Sequence, residues 1–214
     1  MYDSLVFLLA GTLAAATPLL FAAMGEAVVE KSGVLNLSIE GMMAVGAATG
    51  FVVATVSGSY VAGFAIAAFA SAALSLLFAA LVLNFRANQV AAGLAIGILG
   101  LGTSVLIGKQ YEGKTIIALQ DSSFGPLSEI PLIGEILFSH DIMVYVGMIM
   151  VVATWWFLSH SKTGLIVRAV GESPQAANAI GYPVILIRYM AIVFGGAMSG
   201  IGGAYLTLGY TPLW

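Results

Sequence analysis

Charge is nearly absent from six long stretches of this chain, and no other feature limits its fold so strongly. Charged residues make up 8% of the sequence. Most stand in short clusters between apolar runs at residues 5–25, 34–56, 60–83, 89–108, 142–159 and 183–209. Each run has about 20 residues, enough at about 1.5 Å per residue to cross a hydrocarbon core of about 30 Å. Lipid offers no hydrogen-bond partner to an open backbone, so runs of this length are expected to be helical. The alternating segments of about 10 residues that mark a membrane β-barrel are missing. With 60% hydrophobic residues, the chain has too little polar surface for a soluble domain. The expected fold is all-α: a polytopic transmembrane helix bundle with about six spans, forming a single domain over residues 1–214.

The residue types that are scarce narrow the chemistry. There is no Cys, which removes disulfides, thiolate metal sites and thiol catalysis. The two His, His140 and His160, flank one apolar run and stand about 30 Å apart along it, too far to share a metal. They read as interfacial polar residues. Lys and Arg total seven and never cluster, so no nucleic-acid surface is expected. The first run lacks a basic leader, carries Asp3 ahead of it and is too long for the core of a signal peptide. It reads as a retained span.

If the runs alternate direction, Lys31, Arg86, Lys162, Arg168 and Arg188 fall on one side, and Lys109 and Lys114 on the other. The positive-inside rule puts the first group in the cytoplasm. The N-terminus is then extracytoplasmic, as is the loop at 109–140, where Glu112, Asp121, Glu129 and Glu135 offset the two Lys. Within that loop IPLIGEILF, at 130–138, is too short to span, and re-entrant and interfacial placements both stay open. The fourth run is short and rich in Gly, which suggests a broken or half-crossing helix. Small residues recur every four positions at Gly46/Gly50, Gly93/Gly97, Gly196/Gly200 and through Gly195, Ser199 and Gly203. Such stripes let helix backbones approach closely where lipid supplies no hydrophobic drive, so a compact bundle is expected.

Three places carry candidate function. The second run opens with GVLNLSIEGMM, and the i, i+4 spacing puts Asn36 and Glu40 on one helical face, continued by Met43. Glu40 is then about 9 Å inside the span, where a carboxylate is costly unless paired, solvated or protonated. The pair reads either as a polar lining of a translocation path or as buried hydrogen bonding in a helix kinked around Gly33 and Gly41. Glu26 and Glu30 read as interfacial, with Lys31 as a partner. The fourth run opens with Asn88 and Gln89. Asn88 suits an N-cap, although free N–H groups at a helix start also suit a polar ligand. Gln89 sits near the interface, where water can solvate it.

The sharpest signal is the cytoplasmic segment at 160–182. Ser173 can cap a helix, Pro174 suits its first position, QAANAI continues it and Gly181 ends it before Tyr182 and Pro183. A helix of about seven residues is unstable alone in water. Its small residues Ala176, Ala177 and Ala179 suit insertion into a partner's groove, and Glu172 adds charge near the positive end of its dipole. A loop helix resting on the membrane is the plainer alternative, but the large apolar face that such helices need is missing.

Taken in order, GEAVVEKSGVLNLSIEGMM, FRANQVAAGLAIGILGLG and GLIVRAVGESPQAANAIGYPVILIRYMAIVFGGAMSGIGGAYLTLGY resemble the inner-membrane permeases of ABC importers. The branch is that of the branched-chain amino-acid and ribose permeases, and within it the smaller permease of nucleoside or simple-sugar importers. The resemblance implies a type II-like ABC importer permease in the inner membrane of a bacterial cell. It matches Gly171, Glu172, Ala176, Ala177 and Gly181, around Pro174, to the loop that docks on the ATPase. It matches Asn36 and Glu40 to the polar start of the second span, taken to border the substrate pathway, for which Asn88 and Gln89 at the start of the fourth run are further candidates. It implies no catalytic residue, metal or cofactor in this subunit. Mg-ATP would bind a partner ATPase, since the sequence holds no GxxxxGK followed by Ser or Thr. Further implied partners are a second homologous permease forming a heterodimer, an extracytoplasmic substrate-binding lipoprotein or periplasmic protein, and membrane lipid. Family members continue with further spans after the point where this chain stops, at Trp214. A C-terminally incomplete permease is therefore expected, its last span unpaired and its pathway unfinished. The rival reading is an ion-coupled secondary transporter, which would need inverted repeats and more buried carboxylates than Glu40.

Overall fold

The computed structural model describes residues 2–120, 122–123 and 139–214. Eight α-helices are described: α1 (Tyr2–Lys31), α2 (Ile39–Ser57), α3 (Tyr60–Ala79), α4 (Gln89–Gly108), α5 (Ile142–His160), α6 (Lys162–Glu172), α7 (Pro174–Ala179) and α8 (Val184–Tyr205). A wide π turn extends α3 over Ala80–Asn84 and another extends α8 over Leu206–Tyr210. Among the described residues, six helices are long and apolar enough to cross a membrane: Leu8–Lys31, Ile39–Ser57, Tyr60–Asn84, Gln89–Tyr111, Ile142–His160 and Val184–Tyr210.

These match the six apolar runs, with four corrections. The first span reaches Lys31 rather than ending near Gly25. The second starts at Ile39, because residues 34–38 are irregular rather than helical. The fourth is one continuous 20-residue helix, not a broken one, and its Gly93, Gly97 and Gly100 face a neighbouring backbone instead of interrupting the ladder. The last span is not unpaired: α8 packs against α1, α2 and α3.

Small residues explain that packing. A Cβ on Gly25 would lie 2.8 Å from Met198 Cβ and 3.0 Å from the Gly195 carbonyl, so α1 and α8 touch backbone to backbone. Gly196 meets Ser75 of α3 in the same way, with a Cβ 2.5 Å from its Cβ, and Gly203 meets the Met43 carbonyl of α2. Hydrogen bonds between spans add to this: Ser71 Oγ donates to the Met42 carbonyl at 2.7 Å and Thr207 Oγ1 to the Ala47 carbonyl at 3.1 Å. Such bonds contribute about 0.6 kcal/mol each in a bilayer. Between the helices Val29, Met42, Val45, Phe78 and Ile192 form one buried cluster.

α2 is the enclosed span, with more than half of it buried. α4 and α5 lie at the periphery. α4 offers α2 only the stripe of Ala92, Gly93, Ile96, Gly97, Gly100 and Ser104, and turns Leu94, Ile98, Leu101 and Val105 outward. α5 rests on α1 and α6.

The two ends of the bundle differ. At one end Ser32, Gln89, Gly171 and Arg188 come together. At the other, residues 113–119 run beside the 208–214 tail, with Gly113 N–H donating to the Trp214 carbonyl at 2.8 Å and Ile116 N–H to the Pro212 carbonyl at 3.2 Å. There Ser122–Ser123 pairs antiparallel with Ser139–His140. The 130–138 segment, with Asp121, Glu129 and Glu135, falls outside the described residues.

Candidate functional site

α1 ends in a sharp corner. Gly33 takes φ +83°, a left-handed conformation that favours glycine. Its N–H donates to the Glu30 carbonyl at 2.9 Å and the Val34 N–H to the Val29 carbonyl at 3.4 Å. Beyond the corner, exposure alternates residue by residue: Val34, Asn36 and Ser38 are buried, Leu35 and Leu37 exposed. That period of two fits an extended path from Val34 to Leu37, a single strand outside any sheet that ends at Ser38, with φ −94° and ψ 8°. Asn36 Oδ1 accepts from Ser38 N–H at 3.0 Å and from Ser38 Oγ at 2.5 Å, a local turn that starts α2 one residue later.

Asn36 and Glu40 therefore do not share a helical face. Asn36 is 1% exposed in the strand; Glu40 sits in the first turn of α2 with its side chain exposed, not a turn and a half inside the span. The glycine corner, β-branched Val34 and the backbone-seeking side chains of Asn36 and Ser38 outcompete the helix here.

A strand inside a membrane protein needs partners for its amides. Two side chains supply them. Gln89 Oε1 accepts from Leu35 N–H at 2.8 Å and Glu26 Oε1 accepts from Asn36 N–H at 3.1 Å. Successive amides of an extended chain point opposite ways, so the strand is held by α4 on one side and α1 on the other. The second carboxylate oxygen of Glu26 is buried and has no hydrogen bond among the described residues. Glu26 thus braces the strand instead of pairing with Lys31, and Gln89, half-buried in an exposed contact, is a tertiary acceptor as well as an interfacial side chain. Asn88 caps α4 as expected, Oδ1 accepting from Val90 and Ala91 N–H at 2.9 and 3.1 Å. The strand then runs along α4: a Cβ on Gly93 would lie 2.9 Å from Leu37 N, and one on Gly97 3.8 Å from Ser38 Cα. Gln89 to Gly97 is about 12 Å of helix, so irregular backbone lies alongside the first two turns of a span.

The segment at 160–182 holds two helices where the sequence reading saw one. Ser161 Oγ caps α6 through Gly164 N–H at 2.9 Å. α6 buries Gly164, Val167 and Val170 and exposes Glu172. Ser173 closes α6, its N–H bonded to the Ala169 carbonyl at 3.0 Å, and opens α7, its Oγ accepting from Ala176 N–H at 3.4 Å. Pro174 stands at the start of α7. Gly181, at φ +93°, ends the motif. Ala176, Ala179, Ile180 and Gly181 are exposed, whereas Ala177 is buried within the chain and cannot meet an outside surface.

This segment touches the corner directly. A Cβ on Gly171 would strike the Lys31 carbonyl and come within 3.0 Å of Gly33 N. Arg188, early in α8, donates from Nε to the Ser32 carbonyl at 3.0 Å. A continuous contact path thus leads from α7 through Ser173 and Gly171 to the corner, the strand, and the first turn of α4. Glu26, Gly33 and Arg188 carry it without having been singled out from the sequence as site residues. The Glu26–Asn36 contact joins residues on either side of a glycine corner, and only that corner could have hinted at it.

Among the described residues no three His, Asp or Glu side chains gather as a metal site. A cavity of about 500 Å³ opens between α1, α5, α6 and α8. Val28, Phe157, Val167 and Phe194 line it, with Thr154 and Thr163 as its polar side chains, so it lacks the donors and acceptors that a polar solute needs.

Comparison with known proteins agrees with this architecture. The chain is 39% identical over 211 residues to a protein of Haloferax volcanii named putative glucose ABC transporter permease protein TsgC13, covering 97% of this chain and 64% of that one. It is 35% identical to the guanosine ABC transporter permease protein NupQ of Bacillus subtilis, over 90% of this chain and 64% of that one. To the nucleoside ABC transporter permease protein NupC of Lactococcus lactis it is 30% identical, over 94% of this chain and 67% of the relative. The chain thus spans a little under two thirds of the length of the first two. No solved structure matches it. A family profile aligns with residues 8–213, taking in all six spans, the corner, the strand and both short helices, and by that match the chain belongs to the family described as the permease component of branched-chain amino acid transport systems.

Proposed function

We propose that this chain forms the membrane pathway of an ATP-binding-cassette importer for nucleosides or simple sugars. Family membership supports a transport role, and the names of the glucose, guanosine and nucleoside permeases support the solute class. In this reading a partner ATPase binds Mg-ATP and seats α7, with Glu172, Pro174, Ala176 and Gly181 at the contact. A second homologous permease completes the pathway, and an extracytoplasmic binding protein delivers the solute. The end that holds Ser32, Gln89, Gly171 and Arg188 faces the cytoplasm of the inner membrane, and the N-terminus lies outside. No cofactor belongs to this subunit.

The observation that carries the reading is the exposed, capped helix α7 joined through Gly171 to the corner of the first two spans. A helix of six residues has no stability of its own, yet here it is capped at both ends and its outer surface is bare.

The test is purification of the complete subunit from its source cells, followed by uptake of labelled guanosine and labelled glucose into proteoliposomes. Copurification of an ATPase and a second permease, with uptake that requires ATP, is expected. A protein that purifies alone, and whose uptake collapses with an ion gradient, would overturn the proposal in favour of a secondary transporter.

A further inference from the structure

Leu35 and Asn36 give their N–H groups to side chains of two different spans, Gln89 of α4 and Glu26 of α1. In a helix those amides would bond to carbonyls four residues back; here tertiary acceptors replace them. The side of the corner away from the strand is held by Arg188 and Gly171. The strand at 34–38 therefore has no regular ladder of its own and is suspended between the cytoplasmic helices and two spans.

We propose that Glu26 and Gln89 are positioning residues that latch the 34–38 strand, making it the strap through which displacement of α7 moves α4 relative to α1. This rests on the transport reading above. The physical argument is one of stiffness. Leu35 and Asn36 are fixed by these two tertiary bonds, and Ser38, at φ −94° and ψ 8°, closes a turn on Asn36 that leads directly into α2, so a displacement at Gly33 reaches Ile39 through a short hydrogen-bonded path. The two latches decide which spans feel it. Loss of either frees one flank of the strap, and the push from Gly171 is spent in local rearrangement. Glu26 suits this role because only one of its oxygens is engaged, so its side-chain amide counterpart keeps the latch.

The experiment uses the complete subunit in its purified transporter complex, with variants E26A, E26Q and Q89A. Two readouts are taken: hydrogen exchange of the backbone across residues 33–38, and solute imported per ATP hydrolysed. In E26A and Q89A, exchange is expected to rise about tenfold, as for loss of one hydrogen bond, and import per ATP to fall by a similar factor while hydrolysis continues. E26Q keeps an oxygen acceptor and should match the parent in both. Unchanged exchange in E26A and Q89A would show that the latches do not hold the strand. Raised exchange with unchanged import per ATP would show that the strand carries no coupling. Either result overturns the inference while leaving the transport reading intact. A parent complex that imports nothing with ATP overturns the transport reading itself, and the coupling role with it.

Discussion

Gly171 of α6 and Gly33 at the end of α1 meet backbone to backbone: a methyl group on Gly33 would lie 3.1 Å from the Gly171 Cα and 3.2 Å from its carbonyl oxygen. Glycine is required at both places for different reasons. Gly33 has the left-handed φ, which costs about 1–2 kcal/mol for a residue with a side chain. Gly171 has ordinary helical geometry, and its constraint is contact with the Lys31 carbonyl.

Substitution at the two positions should therefore separate. Gly171→Ala must push α6 away from the corner, because the obstructing atoms are backbone and cannot rotate aside. Import per ATP is expected to fall several-fold while membrane insertion is retained. Gly33→Ala adds φ strain to the contact and should also lower the unfolding temperature in detergent. Wild-type coupling in Gly171→Ala would show that the contact transmits nothing.

At the outer surface of the same segment, Glu172→Arg and Gly181→Pro should uncouple transport without preventing insertion. Proline holds φ near −65°, against the +93° that Gly181 adopts, and removes the N–H that bonds to the Asn178 carbonyl at 3.0 Å. Glu172→Arg reverses charge beside the N-terminus of α7. ATP hydrolysis and solute uptake, measured together on the purified complex, check both variants. Normal uptake would remove the docking role from this segment.

The six spans were legible because their signal is additive: length and missing charge alone identify a crossing helix. The caps at Asn88 and Ser173 were legible because an N-cap is a local bond between neighbours in sequence. The strand was not, because Gln89 lies 54 residues from Leu35 and Glu26 ten from Asn36. In sequence, Asn36 and Glu40 keep helical spacing, and only tertiary acceptors make the extended form affordable. The second short helix was missed because α6 and α7 share one polar stretch, and Ser173 serves as the end of one and the start of the other.

Asn88 offers a clean separation between capping and ligand binding. Its Oδ1 serves Val90 and Ala91 N–H, so Asn88→Ala should cost about 0.5–2 kcal/mol of stability. Asn88→Ser and Asn88→Asp should recover most of it. Thermal unfolding in detergent is the check, paired with the KM for uptake. Stability unchanged in Asn88→Ala, with a raised KM, would assign Asn88 to the solute instead.

At the opposite end of the bundle, Tyr205 donates its hydroxyl to Asp141 Oδ2 at 2.5 Å, with both residues buried. The other oxygen of Asp141 caps α5 through Met143 N–H at 2.8 Å. One carboxylate thus fixes the start of the peripheral α5 to the end of α8, which packs on three other spans. A hydrogen bond to a charged group contributes about 1.5–3 kcal/mol, and Tyr205→Phe should lose that amount while keeping the ring packed. Asp141→Ala should cost more, since it strips the cap as well, by about a further 1 kcal/mol. Asp141→Asn keeps an oxygen for the cap and a polar group facing Tyr205, so it should fall nearest the parent. Unfolding midpoints of the three variants give the order directly. If Tyr205→Phe unfolds at the parent's midpoint, the packed ring rather than the hydroxyl's bond to Asp141 holds this end together.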